Sequence, residues 1–154
     1  MDRAVDDRHH RLSAGLSVSE EFKSVQGALV LTQGNGKFLR IKHVVESSLP
    51  IPKSVAIGCR EVVEGGIKDV GTVSQLASDL AEIQANVIEH LKCQAGRYVD
   101  RVLAVSLSDP GVWDRDFDGK ISYSSFSDAA KLAEICGVSV IDSYPSRDLA
   151  VGGT

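Results

Sequence analysis

The sequence predicts one soluble α/β domain in which a mixed five-stranded sheet carries helices on its faces. Three observations predict it: three strand-like segments open the chain, a long amphipathic helix follows, and the second half alternates strand, helix and strand. A length of 154 residues suits one domain. At this size ~70% of the unfolded chain's surface is buried on folding, so a substantial core is expected.

The first three strands are predicted at Leu12–Val18, Val25–Thr32 and Lys37–Val45, where Val, Leu, Ile and Phe are frequent. Gly34-Asn35-Gly36 separates the second strand from the third. Because Gly and Asn tolerate positive φ, this triplet predicts a tight turn and an antiparallel hairpin. Residues 46–52 contain two prolines and are predicted to interrupt the strand pattern.

Two helices are predicted next. A short helix is expected over Ser54–Glu64, ending at a Gly-Gly pair, and a long one over Val73–Cys93. Thr72 and Gln75 have the spacing of a capping box, which predicts the start of the long helix. Apolar residues recur in it at spacings of three and four and predict one buried stripe: Val73, Leu76, Leu80, Ile83, Val87 and Leu91.

The second half predicts a strand over Arg101–Leu107, a helix over Phe126–Ile135 that stops at Gly137, and a short strand over Val138–Ile141. Strand, helix and strand in succession favour a parallel pair. Residues 147–154 are expected to form a loop. Since no closing element follows, we expect the sequence to be part of a longer chain.

Composition restricts the function classes. A net charge of −4 without a basic stripe argues against nucleic-acid binding. No apolar run of ~18 residues predicts a transmembrane helix, and the polar start lacks the apolar core of a signal peptide. Cys59, Cys93 and Cys136 are scattered, which favours reduced thiols in a cytoplasmic protein. We therefore expect neither nucleic acid nor a membrane as partner.

One acidic loop has the spacing of a calcium ligand set. Asp114, Asp116 and Asp118 alternate before Gly119, as at the front of an EF-hand loop. The twelfth position, however, is Ser125 instead of the usual bidentate Glu. Calcium binding at residues 114–125 is one hypothesis, and an acidic surface loop is the other; no other metal site is predicted.

Two further loops follow predicted strands. The turn from Ser17 to Glu21 has small residues that could cradle a phosphate, although its two glutamates oppose an anion and also fit a solvated turn. Asp142, Arg147 and Asp148 follow the last strand, at the sheet end where α/β proteins bind ligands. An acid there could act as a general base and an arginine could hold an anion; a salt-bridged surface loop is the alternative.

Two stretches resemble one family. Gly15–Val30 reads GLSVSEEFKSVQGALV and lines up without gaps on GLMSGTSLDGVDVALV, a pattern of anhydro-N-acetylmuramic acid kinases. The segment CGVSVIDSYPSRDLAVGGT, residues 136–154, resembles the strand and loop of that family that end in R-D-x-A-x-G-G. The elements between them occur in the family's order, so the resemblance extends from about Leu12 to Thr154.

The resemblance implies an RNase H-like core of the actin-like ATPase superfamily, with strand order 3-2-1-4-5 and helices on both faces. The charged residues 1–10 are expected to form a flexible tail. The resemblance implies one domain at 11–154, the second domain of the family being absent. Family enzymes bind ATP and Mg²⁺ between two domains and phosphorylate an amino sugar of the cell wall while opening its anhydro ring. A homodimer is allowed.

The chain departs from the family at the positions that matter for chemistry. Ser19-Glu20-Glu21 replaces G-T-S and Lys23-Ser24 replaces D-G, so Ser17, Ser19 and Lys23 are expected to form a degenerate phosphate loop. Ser143 occupies the position of the family's catalytic Asp, which makes Asp142, one residue earlier, the candidate base. Arg147 and Asp148 match and imply sugar binding.

The resemblance therefore predicts a kinase-like domain that is inactive as an isolated chain. Two glutamates beside a phosphate would repel it, at a cost on the order of several kcal/mol at low effective dielectric. The alternatives are a non-catalytic interaction module on the same fold and the calcium-binding loop.

Overall fold

The computed structural model describes residues 10–66, 69–96, 102–108 and 111–153. Of the tail predicted at residues 1–10, residues 1–9 lie outside this part of the chain, and His10 is the first residue of a strand. Seven strands and four α-helices occur in these ranges. In chain order they are β1 (His10–Val18), β2 (Ser24–Gln33), β3 (Arg40–Pro50), α1 (Lys53–Val63), α2 (Val70–Ala95), β4 (Val102–Ser108), β5 (Val112–Arg115), β6 (Ile121–Ser124), α3 (Ala129–Cys136), β7 (Ser139–Ile141) and α4 (Tyr144–Ala150).

The main sheet has five strands in the order β3-β2-β1-β4-β7. β1 and β3 each pair antiparallel with β2, whereas β4 is parallel to both β1 and β7. With the separate β5–β6 hairpin left out of the count, this is the predicted order 3-2-1-4-5. The mixed sheet, the antiparallel hairpin of β2 and β3, and the parallel strands of the second half are therefore confirmed.

One face of the sheet forms the core. Alternate residues of β1 from Leu12 to Val18 are buried there, as the two-residue period of a strand requires. Helix α2 packs on this face near Gly27. A β-carbon at Gly27 would lie 2.8 Å from a methyl group of Val87 and 2.9 Å from one of Leu91. Helix and sheet therefore approach more closely at Gly27 than a side chain would permit.

The other face of the sheet is open over much of its area. Gly15, Ser17 and Gln26 are exposed on it, while α1, α2 and α3 all contribute to the single core on the opposite face. Within the described residues, the prediction of helices on both faces is therefore wrong for most of the sheet. The physical reason is that small and polar side chains alternate with the buried ones in β1 and β2, which is typical of a sheet with one solvated face.

The capping residue of α2 is Asp69. Its carboxylate accepts hydrogen bonds from the backbone N and the Oγ1 of Thr72, each at 2.8 Å. The backbone hydrogen bond from Thr72 is the main cause of the lowered pKa of the Asp69 carboxyl. Gln75 instead donates to Asp79 at 2.7 Å. The predicted capping box is therefore wrong, because the helix starts three residues earlier and Thr72 is a donor in its first turn.

Strand β3 starts and ends later than predicted. A 3-10 turn at Gly36–Phe38 occupies its expected start, and the strand continues to Pro50, which lies opposite Ser24. A proline is tolerated because β3 is an edge strand, where the missing N–H faces away from the ladder. The predicted interruption at residues 46–52 therefore begins only after Pro50.

Two elements lie in segments that were predicted to be loops. The β5–β6 hairpin has strands of four residues, too short for a clear alternation, and α4 has seven residues, with Pro145 in its first turn. The ends of α1 and α3 agree with prediction, since Gly65 and Gly137 follow them with positive φ. No helix in the described ranges is long and apolar enough to cross a membrane.

Candidate functional site

The strands β1, β4 and β7 are parallel, so their carboxyl ends lie at the same end of the sheet, which we call the carboxyl edge. Ser17 near the end of β1 lies opposite Ser108 of β4, and Ser106 lies opposite Ile141 of β7. The turn after β1 and Asp142 after β7 therefore project from the same edge. Since β4 separates them, the two are ~10 Å apart. Asp109 and Pro110 lie outside the described residues.

The turn between β1 and β2 is closed by its own hydrogen bonds. Ser19 Oγ accepts from the backbone N–H of Lys23 at 2.9 Å and of Ser24 at 3.1 Å. The N–H of Phe22 donates to the carbonyl oxygen of Ser19 at 2.8 Å, and the N–H of Ser19 donates to that of Ser24 at 3.0 Å. These four backbone donors are consequently engaged within the turn.

The charges of this turn also pair with each other. The Lys23 ammonium forms an ion pair with the Glu21 carboxylate. The hydrogen bond from Lys23, followed by its positive charge and that of Arg60, lowers the pKa of Glu21. Lys23 is therefore held by a carboxylate of the same turn.

Phe22 has an unusual backbone conformation for a bulky residue. Its φ is +52°, and its side chain is only 1% exposed. The ring packs edge-to-face on Phe126, with centroids 6.3 Å apart and an interplanar angle of 86°. A non-glycine residue in the left-handed region costs about 1–3 kcal/mol and persists where packing holds it. The contact with Phe126 provides that packing.

A buried polar contact continues from Phe126 into the core. Gln84 of α2 is fully buried, and its Nε2 donates to Ser127 Oγ at 3.0 Å. Its Oε1 has no hydrogen-bond partner among the described residues. The turn after β1, the segment before α3 and helix α2 are thus connected by consecutive contacts through Phe22, Phe126, Ser127 and Gln84.

The loop after β7 starts with a second backbone outlier. Asp142 is half-buried and Ser143, the residue before α4, has a φ of +57°. Phe22 and Ser143 are the two non-glycine residues with positive φ in the described ranges, and both lie at this edge of the sheet. Strained residues of this kind concentrate at functional sites.

Helix α4 carries the last two predicted site residues. Arg147 and Asp148 are exposed on it. The helix ends in a Schellman motif, because Gly153 N donates to Asp148 O at 2.9 Å and Gly152 N to Leu149 O at 3.1 Å. Gly152 has a φ of +92°, and a β-carbon at Gly153 would overlap the Asp148 carboxylate. Gly152 therefore provides the backbone conformation that ends the helix, and Gly153 allows the chain to pass close to Asp148.

The open face next to this edge forms a shallow groove of about 710 Å³. Ser17, Gln26, Glu46, Ser48 and Ser106 are among its lining residues. Ser17 therefore faces the groove, whereas Ser19 and Lys23 belong to the turn. The three residues of the predicted phosphate loop therefore do not form one site, because Ser17 lies in the groove and the other two lie in the turn.

The acidic loop at Asp114–Asp118 forms the end of the β5–β6 hairpin. Asp116 Oδ1 accepts from Lys120 N at 2.8 Å, and Asp114 Oδ1 accepts from Arg115 N at 2.9 Å. Within the ranges that the structure describes, no group of three His, Cys, Asp or Glu side chains is placed to hold a metal ion. The geometry thus gives the calcium hypothesis no support.

Sequence reasoning missed three contributors to this edge. Gln84 could have been found, because it lies four residues after Leu80 and three before Val87, on the buried stripe of α2. Phe22 gave no signal, since the left-handed conformation is unusual for an aromatic residue. The contact between Tyr144 and Ser106, whose oxygens are 2.8 Å apart, depends on a strand register that only the fold reveals.

The sheet order and the loops gathered at one edge are consistent with an α/β domain of the actin-like sugar kinase type. Comparison with protein families gives the more specific result. The family model described as anhydro-N-acetylmuramic acid kinase matches residues 17–154. The chain belongs to the anhydro-N-acetylmuramic acid kinase family.

Individual relatives agree with the family that the model gives. The chain is 32% identical over 111 residues to an anhydro-N-acetylmuramic acid kinase of Chromobacterium violaceum, covering 72% of this chain and 29% of the relative. It is 28% identical over 144 residues to one of Bordetella pertussis, covering 93% of this chain and 36% of the relative. It is 27% identical over 159 residues to one of Cupriavidus pinatubonensis, covering 98% of this chain and 39% of the relative. The chain thus spans about a third of the length of these relatives.

Proposed function

We propose that residues 11–154 form the N-terminal, RNase H-like domain of an anhydro-N-acetylmuramic acid kinase-like protein of the cytoplasm, inactive as an isolated chain. The observation that carries this proposal is the segment after β7, which consists of α4 and the two glycines that follow it. It keeps the family's Arg147-Asp148 and Gly152-Gly153; Gly152 has the positive φ that ends the helix, and Gly153 lies so close to the Asp148 carboxylate that a β-carbon would overlap it. This segment is expected to bind an amino sugar that a complete enzyme would phosphorylate with ATP.

The turn after β1 fits ATP poorly. A phosphate cradle needs free backbone N–H groups and small residues, whereas the N–H groups of Ser19, Phe22, Lys23 and Ser24 are engaged internally. Lys23 is paired with Glu21. Mg²⁺ is usually held by one or two carboxylates together with substrate phosphates, so its binding depends on the same phosphates. This turn therefore does not support phosphoryl transfer by the chain.

Asp142 and Ser143 are the two candidates for the position of the catalytic base. Asp142 is a half-buried carboxylate at the end of β7. Ser143 has the left-handed backbone that Asp and Asn adopt more readily than other non-glycine residues. The conformation at residue 143 therefore suits the aspartate that the family has there, and supports a degenerate rather than an unrelated site.

A chimera tests this proposal. The matching region of the Chromobacterium violaceum relative would be replaced by this chain, and phosphate transfer to the anhydro sugar measured. We expect no transfer. Transfer should return when the family residues are introduced as Ser19→Gly, Glu20→Thr, Glu21→Ser, Lys23→Asp, Ser24→Gly and Ser143→Asp. A control chimera with Lys53→Asp, Glu61→Thr and Glu64→Ser, all exposed on or beside α1, should remain inactive.

The second candidate is a non-catalytic interaction module on the same fold. The observation in its favour is the closed turn, in which Ser19 and Glu21 occupy the groups that a nucleotide would need. The two proposals differ in the chimera: a folded chimera that stays inactive after all six substitutions would contradict the kinase proposal and favour the module. We also expect no ATP binding by the unaltered chain in calorimetry, and micromolar affinity would contradict the interpretation of the turn as closed to nucleotide.

A further inference from the structure

The end of the β2–β3 hairpin exposes an unusual amount of apolar surface. Phe38, Leu39 and Ile41 are 74%, 48% and 67% exposed, respectively, and lie within four consecutive residues. We call residues 34–42 the hairpin tip. Single exposed apolar residues are ordinary, but a contiguous group of large ones marks an interaction site.

The charge of the tip is opposite to that of the whole chain. Lys37, Arg40 and Lys42 are exposed beside the apolar side chains, and no Asp or Glu occurs between Leu31 and Val45. The chain as a whole carries −4. The Lys37 ammonium lies 5.3 Å from the centroid of the Phe38 ring. Cations therefore surround an apolar centre in an otherwise acidic protein.

The tip also contains a cavity of about 440 Å³. Lys37 and Arg40 lie on its wall together with the backbone turn at Gly34. This space is large enough for a phosphate-bearing headgroup, which both cations could reach. The tip lies at the amino end of β1, since Gln33 pairs with His10. A partner at the tip would consequently leave the loops at the carboxyl edge free.

We propose that the hairpin tip binds the surface of an anionic membrane. Phe38, Leu39 and Ile41 enter the boundary between headgroups and acyl chains, and the cations pair with lipid phosphates. Leu39 and Ile41 offer no stacking surface for bases, which disfavours a nucleic acid. An acidic protein would match the charge, but it would not require three apolar side chains so exposed. This proposal departs from the expectation, drawn from the sequence, that no membrane is involved.

Sedimentation with vesicles tests the proposal on the full chain. Vesicles of phosphatidylcholine with phosphatidylglycerol should bind the protein, and vesicles of phosphatidylcholine alone should bind it weakly. Added salt should release it, because screening shortens the range of the attraction. Lys37→Glu with Lys42→Glu should lower the partition coefficient by roughly tenfold or more. Phe38→Ala with Ile41→Ala should lower it by a similar factor, roughly tenfold.

Matched controls exclude a general effect of charge or hydrophobicity. Phe117→Ala removes the exposed aromatic side chain of the β5–β6 turn, and Lys53→Glu reverses an exposed charge at the start of α1. Both should bind vesicles within about twofold of the unaltered protein. The proposal is overturned if anionic vesicles do not bind the chain, if binding is independent of lipid charge, or if the controls lose as much as the tip variants. Circular dichroism of each variant verifies that the fold is retained.

Discussion

The phenolic oxygen of Tyr144 lies 2.8 Å from Ser106 Oγ, which joins the first residue of α4 to β4 in the middle of the parallel strands. The contact crosses the open face of the sheet and is partly exposed. It fixes the start of the helix that carries Arg147 and Asp148. This hydrogen bond, which lies outside the hydrophobic core, is thus one of the contacts that position these two side chains.

Tyr144→Phe should lower the free energy of unfolding by about 0.5–1 kcal/mol, because one exposed hydrogen bond is lost. Ser106→Ala should cost a similar amount, and the double variant should cost little more than either single one. Urea unfolding of the four proteins measures this coupling. Strictly additive losses would mean that the two hydroxyl groups act independently.

Phe22 allows a test of backbone strain. Phe22→Ala should destabilise the protein by about 3–5 kcal/mol, because a buried aromatic ring and its contact with Phe126 are lost. Phe22→Gly loses the same contacts but relieves the positive φ, so it should be more stable than the alanine variant by ~1 kcal/mol. Chemical denaturation of both variants gives the difference. At an ordinary position glycine would be the less stable of the two, and that result would exclude strain at residue 22.

The capping carboxylate of α2 should make stability depend on pH. The hydrogen bond from Thr72 keeps the folded-state pKa of Asp69 below its unfolded value of about 4. Its contribution is therefore present above that value and is lost as pH falls through the folded-state pKa. Asp69→Asn keeps a cap that does not titrate. The stability of the unaltered protein relative to this variant should thus decline below pH ~4, and a constant difference between pH 7 and pH 3 would contradict the assignment.

The three thiols should differ sharply in reactivity. Burial raises the pKa of Cys59 to about 12, and burial also raises the pKa of Cys136, whereas Cys93 is exposed. Because the thiolate is the reactive form, a maleimide should label one cysteine rapidly in the folded protein and the other two only in denaturant. Cys93→Ser should abolish the rapid phase in mass spectrometry. Rapid labelling of Cys59 would show that its burial in the core does not protect the thiol.

Much of the fold could be predicted because burial leaves a period in the sequence. A high frequency of apolar residues identified β1 and β2, spacings of three and four identified α2, and glycine identified the ends of α1 and α3. The β5–β6 hairpin and α4 escaped because four and seven residues are too few to establish a period. The end of β3 escaped because Pro50 is tolerated only on an edge strand, and sequence alone does not say which strand is the edge.

The candidate site was predictable to the extent that its residues follow parallel strands. Asp142 and the turn around Ser19 come to the same edge for that reason. The internal closure of the turn was not predictable, since it depends on the rotamer of Ser19 and on the conformation of Phe22. Comparison with the family pattern revealed that the usual phosphate-loop residues are replaced. It did not reveal that the backbone N–H groups of the turn form hydrogen bonds within the turn.

At Gly27 the strand β2 and the helix α2 pack so closely that a hydrogen atom fits between them but a methyl group does not. A methyl group at Gly27 would clash with Val87 and Leu91 and would displace α2, a helix of 26 residues, from the sheet. One turn earlier the same helix holds Ser127 through Gln84. Gly27→Ala, the smallest enlargement of a side chain, would therefore shift α2 and with it the contact of Gln84 with Ser127. The adjacent pair Phe22 and Phe126 would be disturbed although no residue of the turn after β1 had changed.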